Sequence, residues 1–375
     1  MFVFKQFLYK MLAYITALFI SFSGSVPFFG CGGDIERPDN IEQCKIVIFL
    51  IGDGMGFNSI EMAEQYLGRE LSAFDGFELY GSSQTAPATP LFTTDSAAGG
   101  TALATGERVS IKTVGVYPDD TEAKNSYPMN LCELAISLGK AAGIVTTADT
   151  WDATPADFSA HVSYRENYEE IQRQQAESGL TLLWGQKSED MDIDLMRDNG
   201  YEIIWGKDDM DALAPGSRSF GMFGYNFKLN GRQDGQATYL ETITKAIDLL
   251  DDDEDGFFLM FEAAHIDKYS DEMNGKMMSM VMEGFDEVIQ YALDYAKADG
   301  NTLVVLTADH ETGGIKKFGN KYIYTTTQHT GVDVPLFVYG CNNFINDGES
   351  IENREVGIRT AMAMGELNFP IDVKR

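Results

Sequence analysis

The chain has 375 residues, which is enough for one large α/β domain or two smaller domains. Its hydrophobic fraction of 44% is ordinary for a globular protein, but its net charge of −30 makes it strongly acidic. Because nucleic-acid duplexes and acidic lipid surfaces are themselves anionic, this charge argues against general binding to either of them.

The first predicted element is an export signal over residues 1–30. Lys5 and Lys10 precede a long apolar run, which is the order of a secretory signal. The run ends in a Gly-Cys-Gly sequence around Cys31 that resembles a bacterial lipoprotein cleavage site, where the cysteine receives a lipid. Residues 31–43 would then form a lipidated N-terminus and a tether. We expect an exported bacterial lipoprotein in the periplasm or at the cell surface, held to the membrane only by its lipid. A secreted protein and an uncleaved anchor are the alternatives.

Three further cysteines follow, at positions 44, 132 and 341. They are far apart in the sequence and do not form the closely spaced pairs that bind metals. We interpret them as mostly buried thiols, among which one disulfide can form.

Short apolar runs alternate with longer helical patterns through the rest of the chain. Their length and β-branched residues predict buried strands at 45–51, 142–147, 257–261, 302–307 and 335–339. Helical periodicity marks 129–138, 239–250 and 277–298. This alternation predicts an α/β fold, a three-layer sandwich whose central and mostly parallel sheet has helices on both faces. We assign residues 44–375 to this domain, with the polar stretch 165–255 as an insertion or subdomain.

Polar residues follow several of these strands, where parallel sheets usually bind ligands. Asp53 lies in a glycine-rich turn after the first strand, and Glu262 follows the strand at 257–261. Asp309 and His310 follow the next predicted strand. Oxygen and imidazole ligands together suit zinc, whereas sites made only of oxygen suit magnesium. These residues therefore predict metal binding at this edge of the sheet.

A run of small residues surrounds Ser96 in the segment DSAAGGTALATG. It predicts that Ser96 begins a helix, where free N–H groups and the helix dipole favour an anionic oxygen or a phosphate. The alternative is that Ser96 only caps a tightly packed helix. Arg165 is a second candidate, because its planar fork can bind two phosphate oxygens, although it could equally be a surface arginine.

Taken together, these segments resemble the alkaline phosphatase family. The resemblance runs in order from about residue 45 to 340, and DSAAGGTALATG is its most specific part. It implies hydrolysis of small-molecule phosphate monoesters to an alcohol and inorganic phosphate, through a phosphoserine intermediate. It also implies two Zn²⁺ ions and one Mg²⁺ ion as cofactors, and family members are often homodimers.

The resemblance assigns roles on the phosphate side of the site. Ser96 matches the nucleophile, and Arg165 matches the residue that clamps the phosphate. Asp152 and Lys268 match positions around the magnesium and the phosphate, where many members have histidine. This Asp/Lys pair resembles the branch of the family whose third metal is magnesium.

The resemblance also assigns the metal ligands around the first strand. Asp53 matches the carboxylate that bridges one zinc and the magnesium. Asp309 and His310 match the remaining ligands of that zinc, and Thr154 and Glu262 match the other magnesium ligands.

The other zinc site departs from the family pattern. Asp267 and His329 match two of its ligands, but the histidine that usually follows four residues after the aspartate is replaced by Asp271. A pair at i and i+4 on a helix can reach one ion, and carboxylate oxygen is an accepted zinc ligand, so Asp271 is the predicted third ligand. A carboxylate there would shift the metal preference towards Mg²⁺, Mn²⁺ or Ca²⁺. A ligand role for His265 and a weakened or empty site are the alternatives.

Two other functions remain open from the sequence. One is a phosphodiesterase or nucleotide pyrophosphatase of the same superfamily, and the other is a catalytically impaired lipoprotein that binds phosphate or metal. A sulfatase is disfavoured because its Cys/Ser-x-Pro-x-Arg motif does not occur. His161 matches a family position without a metal, and we predict a structural role for it.

Overall fold

The computed structural model describes residues 37–38, 40–89, 91–117, 126–232 and 236–374. The predicted export signal and Cys31 lie outside these residues. None of the helices in the described ranges combines the length and the hydropathy needed to cross a membrane.

The described chain contains strands β1 to β16 and helices α1 to α11. In chain order the strands are Ile46–Ile51, Leu79–Gln84, Ser126–Pro128, Ala141–Thr146, Leu182–Gln186, Glu202–Ile204, Ser219–Phe223, Phe257–Glu262, Thr302–Thr307, Glu311–Thr312, Lys316–Phe318, Lys321–Ile323, His329–Thr330, Val334–Tyr339, Ser350–Glu352 and Asp372–Lys374. The helices are Phe57–Leu67, Ser96–Thr105, Leu131–Ser137, Ala153–Asp157, Tyr168–Glu177, Ile193–Asp198, Lys207–Ala212, Tyr239–Leu250, His265–Asp271, Gly275–Asp299 and Asn353–Ala363. Short 3-10 helices cover Ser72–Gly76 and Tyr225–Leu229.

One large sheet organises the molecule. Its ten strands lie in the order β15-β2-β14-β9-β1-β8-β4-β5-β7-β6. Strand β14 is antiparallel to both of its neighbours, β9 and β2, and the other pairings in the sheet are all parallel. All strands except β14 therefore run in one direction, which confirms the prediction of an α/β fold with a mostly parallel sheet.

Both faces of the central strand β1 are covered, as its fully buried sequence requires. Ile48 and Leu50 belong to the core cluster that includes residues of α1, α8 and α10. Phe49 points to the opposite face, where its ring lies 5.8 Å from that of Phe158, just after α4. Helix α2 packs on α4 and α11. The sheet is thus the middle layer between helices.

The stretch 165–255, predicted as an insertion or a subdomain, supplies strands β5, β6 and β7. These strands continue the main sheet at one end, because β5 pairs in parallel with β4 and β7 pairs in parallel with β5. Trp184 on β5 and Phe223 on β7 are completely buried and contact each other. These short apolar strands were not predicted, because most of the residues in the stretch are polar.

The predicted strands and helices are confirmed, and their ends differ by only a few residues. Helix α3 shows why one boundary moved. The side chain of Asn130 accepts a hydrogen bond of 2.9 Å from the backbone of Glu133. The side chain of Glu133 in turn accepts from the Asn130 backbone, which forms a capping box and starts the helix at Leu131.

Candidate active site

The predicted metal ligands meet because three central strands end side by side. The last residue of β1, Ile51, lies beside Glu262 of β8 on one side and beside Thr307 of β9 on the other. Asp53 follows β1, and Asp309 follows β9. The carboxyl edge of this parallel sheet therefore brings together carboxylates from distant parts of the sequence.

A first group of possible metal ligands consists of Asp53, Asp309 and His310. One ligand atom from each lies within 4.8 Å of the others. The His310 Nε2 atom lies 3.4 Å from Asp53 Oδ1 and 3.2 Å from Asp309 Oδ2. Both oxygens are buried and lack a hydrogen-bond partner among the described residues. Because unpaired buried carboxylate oxygens are costly, and because these ligand types suit zinc, the group fits a divalent cation.

Burial and mutual repulsion perturb the titration of these groups. Burial, followed by the charge of Asp309, raises the pKa of Asp53 well above its usual range. Burial also raises the pKa of Asp309, and it raises the pKa of Glu262 to about 8. Burial lowers the pKa of His310 to about 3, so this imidazole is neutral and can bind metal. Without a cation, several ionised carboxylates in this cluster would repel one another.

These shifts predict an unusual pH dependence for the stability of the metal-free protein. The folded pKa of Glu262, about 8, lies above its ordinary value of 4.5, so the folded chain holds a proton that the unfolded chain releases. The free energy of unfolding should therefore rise by about 1.4 kcal/mol as the pH falls from about 9 to about 7. Urea unfolding of the chelated protein measures this change. The Glu262→Gln variant should lose most of it, and an equal dependence in that variant would contradict the assignment.

A second group of possible ligands consists of Asp267, His310 and His329. His329 Nε2 lies 3.6 Å from Asp267 Oδ1, and its Nδ1 atom lies 3.0 Å from the Thr94 carbonyl oxygen, which orients the ring. The rings of His310 and His329 stack with their centroids 3.6 Å apart. His310 is a member of both groups, and its Nε2 atom faces the first. Asp267 and His329 belong only to the second group.

The structure does not bring Asp271 into the second group, although it was the predicted third ligand. Asp271 is the last residue of α9, and its side chain is exposed. Burial and the charge of Asp267 raise the pKa of Asp271 to about 6, while His329 opposes this shift. The carboxylate is thus close enough to interact electrostatically with the group. His265 also lies outside both groups, with its Nδ1 atom 3.3 Å from Thr147 Oγ1.

The predicted magnesium ligands have an oxygen-rich environment. Thr154 Oγ1, on the short helix α4, is buried and lacks a hydrogen-bond partner among the described residues. Glu262 is buried, and one of its oxygens accepts a hydrogen bond from Thr146. The charges of Glu262 and Asp152 both act on Asp53. A buried hydroxyl without a hydrogen-bond partner and buried carboxylates are ligand types that suit a hard cation such as Mg²⁺.

Ser96 is the first residue of α2, as predicted. The N-cap is Asp95, whose side chain accepts a hydrogen bond of 3.1 Å from the Ala98 backbone, so the alternative that Ser96 caps the helix is wrong. The Ser96 hydroxyl lies 3.2 Å from His310 Nε2, at the edge of the first ligand group. The serine thus combines a helix N-terminus with a possible metal site.

The glycines of the DSAAGG segment let α2 lie directly against the loop that carries Asp309 and against helix α4. A Cβ atom on Gly99 would stand 2.5 Å from the carbonyl oxygen of Asp309. A Cβ atom on Gly100 would collide with a carboxylate oxygen of Asp157. The close approach places Ser96 beside Asp309 and His310, and only glycine allows it.

Arg165 is held beside the serine by two carboxylates. Its guanidinium lies 3.0 Å from Asp152 Oδ1 and 3.4 Å from Asp95 Oδ2. The other oxygen of Asp152 lies 2.7 Å from the Lys268 ammonium. Burial opposes ionisation of Asp152, but Lys268 and Arg165 outweigh it and lower the pKa of this carboxyl. Arg165 is therefore a positioned cation near the nucleophile.

Thr312 is a contact that sequence reasoning missed. Its hydroxyl donates a hydrogen bond to Asp267 Oδ1 and lies 3.2 Å from His310 Nδ1. It therefore links one member of each ligand group and orients both. The only sequence signal is its place two residues after His310, because a threonine hydroxyl does not reveal its partners.

The predicted structural role of His161 is confirmed. Its Nδ1 atom lies 2.6 Å from the Gly115 carbonyl oxygen, and its Nε2 atom lies 3.0 Å from Glu133. The ring stacks on Tyr127 with their centroids 3.8 Å apart. Both ring nitrogens are thus occupied by protein contacts.

Known proteins are similar to this chain in sequence and in architecture. The sequence model of the family described as Alkaline phosphatase matches residues 44–221 and 185–328. Alkaline phosphatase 3 of Bacillus subtilis (strain 168) is 35% identical over 339 residues, which covers 83% of this chain and 71% of that protein.

Solved structures agree with this similarity. Alkaline phosphatase from the Antarctic bacterium TAB5 superposes with a TM-score of 0.76 at 27% identity, covering 86% of this chain and 99% of that chain. A variant of the TAB5 enzyme, with a histidine replaced by glutamate and Mg bound in its M3 site, has a TM-score of 0.74 at 27% identity, covering 87% and 99% of the two chains. The resemblance found in the sequence is confirmed, and the chain belongs to the alkaline phosphatase family.

Proposed function

We propose that the protein is a metal-dependent phosphomonoesterase that hydrolyses small-molecule phosphate monoesters to an alcohol and inorganic phosphate. The supporting observation is the Ser96 hydroxyl, which lies 3.2 Å from His310 Nε2 at the edge of a buried group of carboxylates. Arg165, anchored by Asp95 and Asp152, supplies a cation beside it. A nucleophile, a phosphate-binding cation and a metal-ligand cluster thus converge at one sheet edge.

The residues present match the metals that the family implies. Asp53, Asp309 and His310 would hold one zinc, while Thr154 and Glu262 would join Asp53 around magnesium. Asp267 and His329 would be ligands of the other zinc. When bound there, the divalent cations supply positive charge that favours the serine alkoxide, stabilises the leaving oxygen and offsets the carboxylates.

In the proposed mechanism Ser96 attacks phosphorus. The Ser96 hydroxyl loses its proton to solvent and its oxygen forms a bond to phosphorus, while the bond from phosphorus to the leaving alcohol oxygen breaks and that oxygen takes up a proton. Arg165 binds the nonbridging oxygens, and the N-terminus of α2 adds partial positive charge. Water then attacks phosphorus and releases the Ser96 oxygen. Because two in-line displacements follow each other, the configuration at phosphorus should be retained.

The proposal is tested by comparing rates on p-nitrophenyl phosphate and bis-(p-nitrophenyl) phosphate. The purified protein is stripped of metal and reconstituted with Zn²⁺ and Mg²⁺, and with Mn²⁺ or Ca²⁺ in place of Zn²⁺. Faster turnover of the monoester supports the proposal. Faster turnover of the diester would replace it with a phosphodiesterase function. Binding of phosphate or metal without turnover would favour an impaired binding protein.

A histidine at position 271 should complete the second ligand group. In Asp271→His an imidazole stands four residues after Asp267 on the same helix, so we expect zinc affinity at this group to rise at least about tenfold. Isothermal titration of the metal-stripped protein with Zn²⁺ measures the change. Glu272→His is the matched control, because it makes the same exchange of charge for imidazole at the neighbouring exposed position. Equal zinc affinity in both variants would contradict the prediction.

A further inference from the structure

Two buried cysteines lie together at the end of the sheet opposite the active site. Cys44 is two residues ahead of β1, and Cys341 is two residues after the antiparallel strand β14. Asp53 follows the other end of β1, and a six-residue strand is about 20 Å long. The cysteine pair is therefore remote from Ser96 and takes no part in the proposed reaction.

Backbone contacts hold the two cysteine-bearing segments against each other. The Glu42 amide donates a hydrogen bond of 3.2 Å to the Asn342 carbonyl oxygen. The Asn342 amide donates one of 3.1 Å to the Glu42 side chain. The Cys44 amide is also tied down, by a bond of 2.8 Å to the Ala363 carbonyl oxygen. The segments are thus fixed side by side although they are far apart in the sequence.

The two thiols share the same small space. Cys341 Sγ donates to the Glu42 carbonyl oxygen at 3.2 Å, and Cys44 Sγ lies 3.9 Å from the same oxygen and 3.4 Å from the Gly340 carbonyl oxygen. A hydrogen bond between the thiols lowers the pKa of Cys44 and raises the pKa of Cys341. Cys44 is thus the thiol that more readily becomes a nucleophilic thiolate.

We propose that Cys44 and Cys341 form a disulfide when the protein meets a disulfide oxidant, such as oxidised glutathione or a disulfide-carrying protein. The Cys44 thiolate attacks one sulfur of the oxidant and forms a mixed disulfide, while the other oxidant sulfur leaves as a thiolate and takes up a proton. Cys341 then loses its proton and attacks the Cys44 sulfur, and the second oxidant sulfur leaves. The two cysteines lose two protons and two electrons in all, and the oxidant takes them up and is reduced to two thiols.

Such a bond would tie the chain entering β1 to the chain leaving β14. Because it closes a very long loop, it should restrict the unfolded state strongly and stabilise the fold. We expect the melting temperature of the oxidised protein to exceed that of the reduced protein by about 5 °C or more. Phosphatase activity should be the same in both forms, since the bond lies at the opposite end of the sheet.

The test is made on the full chain after incubation with oxidised or reduced glutathione. Free thiols are alkylated under denaturing conditions, and peptides are identified by mass spectrometry. A linked peptide containing Cys44 and Cys341 in the oxidised sample supports the proposal. Alkylation of both residues after oxidation would overturn it, and so would linkage of either residue to another cysteine.

Variants separate the bond from general effects of oxidation. Cys44→Ser and Cys341→Ser should each abolish the rise in melting temperature on oxidation. The matched control is Cys132→Ser, which removes a buried thiol on helix α3, and it should keep the rise. Loss of the rise in Cys132→Ser alone would contradict the assignment. The linked peptide is sought in the unmodified protein, so the test does not depend on variants that fold poorly.

Discussion

Replacement of Ser96 by alanine should lower kcat/KM for p-nitrophenyl phosphate by at least about a thousandfold, because it removes the oxygen that forms the proposed covalent intermediate. The Ser96 hydroxyl is the one at the helix N-terminus beside His310, and the side chain that caps the helix belongs to Asp95. The substitution should therefore leave α2 and the ligand groups in place. Steady-state rates on the metal-loaded protein measure the loss.

The matched control is Ser83→Ala on strand β2. Ser83 is also a fully buried serine, and its hydroxyl lacks a hydrogen-bond partner among the described residues. Its removal should therefore cost little stability and no activity. Metal content, measured by mass spectrometry, should be equal in both variants. A Ser96→Ala protein that keeps more than about a tenth of the activity with normal metal content would exclude the phosphoserine mechanism.

Removal of the metals should abolish turnover and lower the melting temperature by about 10 °C. Asp53, Asp309 and Glu262 are packed together with raised pKa values, so without cations the folded state keeps repelling or protonated carboxyls. Chelation followed by calorimetry and activity assays measures both losses. Adding Zn²⁺ and Mg²⁺ back should restore both.

The Ser96→Ala variant separates the structural part of this effect from the catalytic part. It is inactive by design but keeps every proposed metal ligand, so chelation should lower its melting temperature as much as that of the unmodified protein. An unchanged melting temperature and full activity after thorough chelation would show that the ligand groups do not bind metals that matter.

The central strands could be predicted because each has a clear hydrophobic pattern within a few consecutive residues. The run at 45–51 is apolar at nearly every position, and its short length and β-branched residues favour a strand covered on both faces. Asp53 and Asp309 were expected near each other because both follow such strands. The edge strands β15 and β6, and strand β2 next to β15, were not predicted, since each contains exposed or only partly buried positions.

The parts of the site that escaped prediction depend on side-chain geometry. Spacing alone puts Asp267 and Asp271 on one helical face, but α9 ends at Asp271 and leaves its carboxylate exposed. Asp95 gave no sign that it would both cap α2 and hold Arg165. Thr312 likewise joins two ligand groups through a hydroxyl whose direction is set only by the folded loop.

The two glycines that follow Ser96 explain why the segment DSAAGGTALATG is made of small residues at these positions. Neither Gly99 nor Gly100 touches a substrate or a metal in the proposed reaction; each is small because another part of the chain already fills the space where a side chain would start. A methyl group there would move the serine away from His310 without altering a single reacting atom. This segment therefore records how closely α2 fits against the backbone of Asp309 and the side chain of Asp157, and the position of the nucleophile depends on that fit.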